Sequence, residues 1–166
     1  IIKLESKGPV IIVQKRSGLN NKTFNCLKFR SMRVNEVADL VTATKNDARI
    51  TQFGAFMRKT SIDELPQFFN VLAGQMSVVG PRPHMISQTE QYATITRKYM
   101  LRHMVKPGIT VCAQVMGARG EEGAEADMQN RIEKDIWYIQ HWSVFLDLKI
   151  IFPTFYNIVK GDEQAY

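Results

Sequence analysis

The chain has no run of about 20 apolar residues able to cross a bilayer, and no signal-peptide pattern. Its only cysteines, Cys26 and Cys112, stand far apart, and neither belongs to a motif with metal-ligand spacing. That argues against a zinc site and for reduced, partly buried thiols in a cytosolic compartment. The Walker phosphate loop and the dinucleotide fingerprint are both missing, which removes two common routes to nucleotide binding. There is no internal repeat, low-complexity tract or domain boundary, so one catalytic domain over residues 1–166 is expected. The chain also lacks an initiator methionine and opens on Ile1-Ile2, so an anchoring segment is expected upstream.

What the chain does have is positive charge. Lys and Arg exceed Asp and Glu to give a net charge of +6. That suits nucleic acid, anionic lipid or a phosphorylated small molecule without choosing among them.

The centre of the sequence is Thr60-Ser61-Ile62-Asp63-Glu64-Leu65-Pro66-Gln67, with Gly80-Pro81-Arg82-Pro83 after it. Proline is tolerated in a helix only in its first turn. With Asp63 as N-cap, Pro66 takes the third helical position; with Ser61 as cap and Glu64 closing a capping box, Pro66 falls beyond the orphan donors. Asp63 is the better cap, and either choice puts two carboxylates at a helix N-terminus, where negative charge is favoured. An acid pair there is either an ordinary cap or a reactive centre, and local spacing does not decide.

Around this stretch, residues 10–13 and 23–29 read as two strands of a hairpin joined by the turn cluster at residues 17–21. Lys28 and Arg30 are two apart and share a face, fit to hold a diphosphate or to guard a solvated edge. Residues 34–45 are polar and weakly periodic. A helix starting at Asn46 carries Ile50, Phe53, Phe56 and Met57 as a core face, and ends in Arg58 and Lys59. Those two cations either meet a phosphate or compensate a helix dipole.

The helix after the acid pair carries the stripe Leu65, Phe68, Phe69 and Leu72, with Gly74 as its stop. Residues 76–79 are β-like. Pro81 and Pro83 clamp the backbone around Arg82, which lowers the entropy lost when a guanidinium grips a phosphate. A capping box at residues 87–90 opens a helix to about residue 104, with a basic cluster at Arg97, Lys98, Arg102, His103 and Lys106. Residues 109–115 look extended and 117–120 form a loop. Residues 124–141 make a helix with Met128, Ile132, Ile136 and Ile139 inward. The last helix, from Ser143, is apolar on most sides and holds Pro153. It is either buried in protein or lies in a lipid interface, as Trp137 and Trp142 beside it would suit.

Several of these words stand in the order seen in one family. They are Gly8-Pro9-Val10-Ile11 with Gln14-Lys15-Arg16, Lys28-Phe29-Arg30-Ser31-Met32, Arg58 to Gln67, Asn70-Val71-Leu72, Met76 to Pro83, and Lys106-Pro107-Gly108-Ile109-Thr110. From about Gly8 to Val159 the chain resembles the bacterial sugar transferases, monotopic polyprenyl-phosphate phosphoglycosyltransferases that start capsule, exopolysaccharide and glycan synthesis. The resemblance implies transfer of a sugar 1-phosphate from a nucleotide diphosphate sugar, UDP-linked by family expectation, to undecaprenyl phosphate. It implies Asp63 as nucleophile, Glu64 as its partner, and both as ligands of Mg²⁺. Arg30 and Arg82 correspond to phosphate-binding arginines, with Lys28 and Arg58 nominated beside them. The implied fold is α+β, a small antiparallel β-hairpin or sheet packed with several helices, some of them amphipathic and at the membrane interface. The implied place is the cytoplasmic face of the bacterial inner membrane, with membrane lipid as a partner and a homo-oligomer left open. Where many members carry Gly-Trp-Ala-Gln-Val-Asn-Gly, this chain reads Val111-Cys112-Ala113-Gln114-Val115-Met116-Gly117, so no sugar or base contact is assigned there.

The rival expectation is a basic membrane-surface or nucleic-acid-binding module without catalysis. Its aromatics fall on apolar stripes and are not interleaved with cations for base stacking, which argues against nucleic acid.

Overall fold

The computed structural model describes residues 1–34, 44, 47–111 and 125–160. Its fold is α+β, with two small two-stranded sheets set among helices. Most of the expected polar stretch at 34–45, the loop at 117–120 and most of the word at 111–117 lie outside the described residues.

The hairpin forms as its alternation requires. Strand β1 (Ile11–Ser17) pairs antiparallel with β2 (Thr23–Phe29), Ile11 opposite Phe29 and Ser17 opposite Thr23. Its tip is one 3₁₀ turn, Leu19–Asn21, in which Asn20 and Asn21 adopt φ 53° and 58°. Asparagine tolerates this left-handed region better than most residues.

Three short helices frame the hairpin: α1 (Ile2–Glu5), α2 (Gln52–Lys59) and α3 (Gln67–Leu72). α2 starts six residues later than Asn46. Asp47 closes a local turn, its Oδ1 accepting the backbone N–H of Arg49 at 2.9 Å, and Thr51 is the cap, accepting from Gly54 at 3.0 Å. Such side-chain turns compete with helix. α3 is anchored to β2 by Asn70, whose Oδ1 accepts from Leu27 N at 3.0 Å and whose Nδ2 donates to Asn25 O at 2.7 Å. The amide thus imitates a neighbouring strand and covers the edge of β2. Gly74, at φ +73°, ends the segment as expected.

The apolar stripe of this region is not core. Met57 is buried, but Phe56, Leu65, Phe68, Phe69 and Leu72 are exposed, Leu72 at 83%. The amphipathic period is real; the surface it faces lies outside the described protein.

Strands β3 (Ser77–Val79) and β4 (Gly108–Thr110) pair in parallel. Gly108 approaches Gly80 so closely that a Cβ on it would overlap the Gly80 backbone nitrogen. α4 (Ile86–Ile95) is opened by Gln88, whose Oε1 accepts the Met85 N–H at 3.1 Å. It does not run on to residue 104. Thr96 turns extended, caps the next N–H groups, and the chain continues as a 3₁₀ segment, Arg97–Met104.

Two clusters of buried apolar side chains stand out among the described residues. α5 (Glu125–Gln140) serves both: Met128 and Ile132 pack with Tyr99, while Tyr138 packs with Val79 and Ile150. Ile150 belongs to α6 (Val144–Lys160), which contains Pro153. Most of the apolar side of α6 is uncovered, Phe152 at 72%, with Val144, Phe145, Phe155, Tyr156 and neighbouring Trp142 also exposed. Those side chains are not covered by any of the described residues.

Candidate active site

Asp63 and Glu64 do not cap α3. Pro66 occupies the N-cap, and the acids sit in a separate 3₁₀ turn, Ile62–Glu64. Ser61 causes this. Its left-handed backbone, φ 54°, ends the trajectory of α2 and closes the turn through Glu64 N to Ser61 O at 3.1 Å. A non-glycine residue in that region is uncommon and turns the chain sharply.

The turn points both acids into a cavity of about 500 Å³, within the range of small-molecule sites. All six side chains nominated from sequence line it: Lys28, Arg30, Arg58, Asp63, Glu64 and Arg82. Lys28 arrives from β2, on the face it shares with Cys26 and, across the hairpin, with Ile12 and Gln14. Arg58 comes from the last turn of α2, while its neighbour Lys59 is exposed. Arg82 comes from the proline-clamped loop.

The two carboxyls have opposite surroundings. Glu64 Oε1 accepts from Lys28 Nζ and from Arg82 Nη2, each at 2.9 Å. Burial acts to raise its pKa, but Arg82 and Lys28 overcome it and hold the carboxyl well below the ordinary range. Asp63, 7% exposed, is pushed up to about 6, first by burial and then by the Glu64 charge, with Lys28, Arg58 and Arg82 pulling the other way. Adjacent acids pushed apart in this way are characteristic of reactive pairs.

Arg30 lines the cavity but turns its guanidinium away from the acids. It is 3% exposed and donates to the carbonyls of Ile2, Ser6, Lys7, Gly8 and Pro9 and to Ser6 Oγ, at 2.5 to 3.3 Å. As placed, it clamps the N-terminal segment. Arg16, His84 and Gln88 also line the cavity and were not singled out. A signal existed for Arg16, two places after Gln14 on the face of β1 that sits over Lys28.

The family model described as bacterial sugar transferase matches residues 1–161. The chain belongs to the bacterial sugar transferase family. A UDP-glucose:undecaprenyl-phosphate glucose-1-phosphate transferase of Klebsiella pneumoniae is 58% identical, covering 99% of this chain and 36% of that protein. A protein of the same name in Escherichia coli K12 is 53% identical over 94% of this chain and 34% of its own length. The exopolysaccharide production protein PSS of Rhizobium leguminosarum bv. phaseoli is 44% identical, over 93% of this chain and 80% of that protein. This sugar transferase chain thus spans about a third of the length of the first two relatives.

Proposed function

We propose that the chain is the catalytic part of an enzyme that moves a sugar 1-phosphate from a nucleotide diphosphate sugar, UDP-linked, to undecaprenyl phosphate. The observation that carries this is the split acid pair: Glu64 neutralised by two cations, and beside it a buried Asp63 whose pKa lies near 6.

In the first step an Asp63 carboxylate oxygen attacks the phosphorus that bears the sugar. The bond to the bridging oxygen breaks, and the nucleoside monophosphate leaves with that electron pair. An aspartyl-phosphosugar remains. In the second step a phosphate oxygen of the lipid attacks the same phosphorus, the acyl–phosphate bond breaks, and Asp63 is restored. The chain's own cations offset charge that would otherwise repel a carboxylate from a diphosphate. Arg82 and Lys28, already gathered on Glu64, are positioned to receive phosphate oxygens, and Arg58 lies near Asp63.

Mg²⁺ fits this donor set. It needs one or two carboxylates when phosphate oxygens and water complete its octahedron. Glu64 Oε1 already carries two cations, so Asp63 and the other Glu64 oxygen are the natural donors. When bound, the ion supplies further neutralisation of the diphosphate.

The acceptor is a lipid, and the exposed aromatics of α6, with Trp137 and Trp142, form a surface suited to the headgroup zone. No helix among the described residues is long and apolar enough to cross a membrane. The basic-module alternative loses part of its charge, because Arg102 and His103 of its cluster are buried.

The test uses full-length protein in its membrane, with donor labelled in the sugar phosphate. Label should pass to undecaprenyl phosphate in a Mg²⁺-dependent reaction and be trapped on protein when acceptor is withheld. The rate should rise as pH passes about 6 and Asp63 ionises. Asp63→Asn should abolish trapping and transfer. Turnover by Asp63→Asn within a few-fold of wild type would sink the mechanism.

A further inference from the structure

Arg82 reaches Glu64 from a loop with unusual backbone constraints. Pro81 and Pro83 carry no N–H, so two of the loop's donors are missing. Anchoring runs mainly through carbonyls. Pro81 O accepts from Gly108 N at 3.0 Å, and His84 O accepts from Ser17 N at 3.3 Å. The carbonyl of Arg82 itself is held by a side chain: Arg102 Nη2 donates to it at 3.0 Å.

Arg102 is buried and does three things at once. Its Nε donates to Asp135 Oδ2 at 2.6 Å, its Nη2 holds the Arg82 carbonyl, and its Nη1 lies 3.2 Å from His84 Nδ1. A guanidinium has no acceptor, so it can bond to His84 Nδ1 only in the tautomer whose proton is on Nε2. His84 Nδ1 is also 2.9 Å from the Tyr99 hydroxyl, and the guanidinium lies over the Tyr99 ring at 5.2 Å. Asp135, 2% exposed on α5, fixes the direction of the fork. None of these groups touches the acid pair. A line of contacts runs from α5 through Asp135 and Arg102 to the Arg82 backbone, and from the Arg82 guanidinium to Glu64.

We propose that Arg102 and Asp135 are positioning residues for the active site: together they set the place of Arg82, and through it the Arg82–Glu64 ion pair. The catalytic consequence rests on the transferase function proposed above; the structural consequence does not. A fork with three partners has no equivalent in lysine, whose ammonium is a point charge on a flexible stem. A buried pair kept only for stability would be replaceable by apolar residues of similar volume.

Both properties give the test. Arg102→Lys keeps the charge beside Asp135 but not the fork. The double replacement Arg102→Met with Asp135→Leu removes the pair without stranding a charge, and so guards against loss of the fold. In each folded variant the Arg82 guanidinium is followed by ¹⁵N NMR and by a crystal structure, with Lys28, Arg58, Asp63, Glu64 and Arg82 intact. The contact of Arg82 Nη2 with Glu64 Oε1, 2.9 Å in the parent protein, should be lost as Arg82 drifts away, and the guanidinium signals should move toward those of a solvent-exposed arginine. In the membrane-anchored protein, kcat/KM for sugar-phosphate transfer should fall about tenfold or more. Arg82→Gln combined with Arg102→Lys should be no worse than Arg82→Gln alone, because both changes remove the same contact. A folded variant that keeps the Arg82–Glu64 contact at its parent distance overturns the proposal. Loss of that contact in the variants of a parent protein that transfers no sugar phosphate supports the positioning pair and refutes the transferase function.

Discussion

Asp63 should destabilise the fold it serves. Its carboxyl has an ordinary pKa near 3.8 in the unfolded chain and about 6 in the folded one. The native state therefore binds the proton more tightly than the unfolded state. Linkage fixes the sign: the folded form is favoured at low pH, and the advantage is lost as pH rises from about 4 through about 6. The gap of about 2 pH units, at about 1.4 kcal/mol each, amounts to about 3 kcal/mol above pH 7. Asp63→Asn keeps the shape and removes the charge, so at pH 7.5 it should be more stable than wild type by about 1 to 3 kcal/mol. For a chain of this size that is roughly 2 to 12 °C in Tm. The assay is urea unfolding of both proteins at pH 7.5 and at pH 4. Asp63→Asn also removes the repulsion between Asp63 and Glu64, which adds to the gain at pH 7.5. The gain should shrink toward zero at pH 4. Equal stability at pH 7.5, or a gain of the same size at pH 4, would refute the assignment of Asp63 as a strained, buried acid.

Two other predictions concern the frame around the site. Gly108→Ala forces a Cβ into the Gly80 backbone; it should lower stability by about 1–3 kcal/mol or more and lower transfer too, since Gly80 begins the Arg82 loop, and an unchanged urea midpoint would contradict the contact. Phe152→Ser with Phe155→Ser, both on exposed positions of α6, should leave the urea midpoint within about 0.5 kcal/mol but weaken sedimentation with anionic vesicles at least tenfold, given about 1.5–3 kcal/mol for each phenylalanine removed from water. Vesicle binding at wild-type strength would assign that face elsewhere.

The hairpin was legible because alternation with period two and an asparagine-rich turn are local signals, and they put Lys28 on the correct face. The same rule misled at Arg30. β2 ends at Phe29, and the guanidinium turns to backbone carbonyls of residues 2–9. Carbonyls belong to every residue, so no sequence pattern announces that they will collect an arginine. Helical periodicity found the stripe Phe56, Leu65, Phe68, Phe69 and Leu72, but period states that a face is apolar and says nothing of what covers it. The acid pair was found by its motif and misplaced in detail: the left-handed backbone at Ser61, which detaches it from α3, depends on tertiary context. Arg102 shows the reverse error, a surface-looking cation in a basic cluster that is in fact buried against Asp135, residues away in sequence and on another helix.

Charge balance explains why the site holds three cations and only two acids at its centre. With both carboxyls ionised, Lys28, Arg58 and Arg82 leave one net positive charge among these five groups; with Asp63 protonated they leave two. A bare divalent ion would find that balance unfavourable, whereas a diphosphate would find it complementary. The donor and its metal should therefore bind together, each making the other's binding more favourable. On the proposed mechanism, a diphosphate that draws Arg82 and Lys28 from Glu64 would release that acid as a metal donor. Asp63 meanwhile is buried but close to all three cations, so on the proposed mechanism those cations sustain the negative charge it needs for attack.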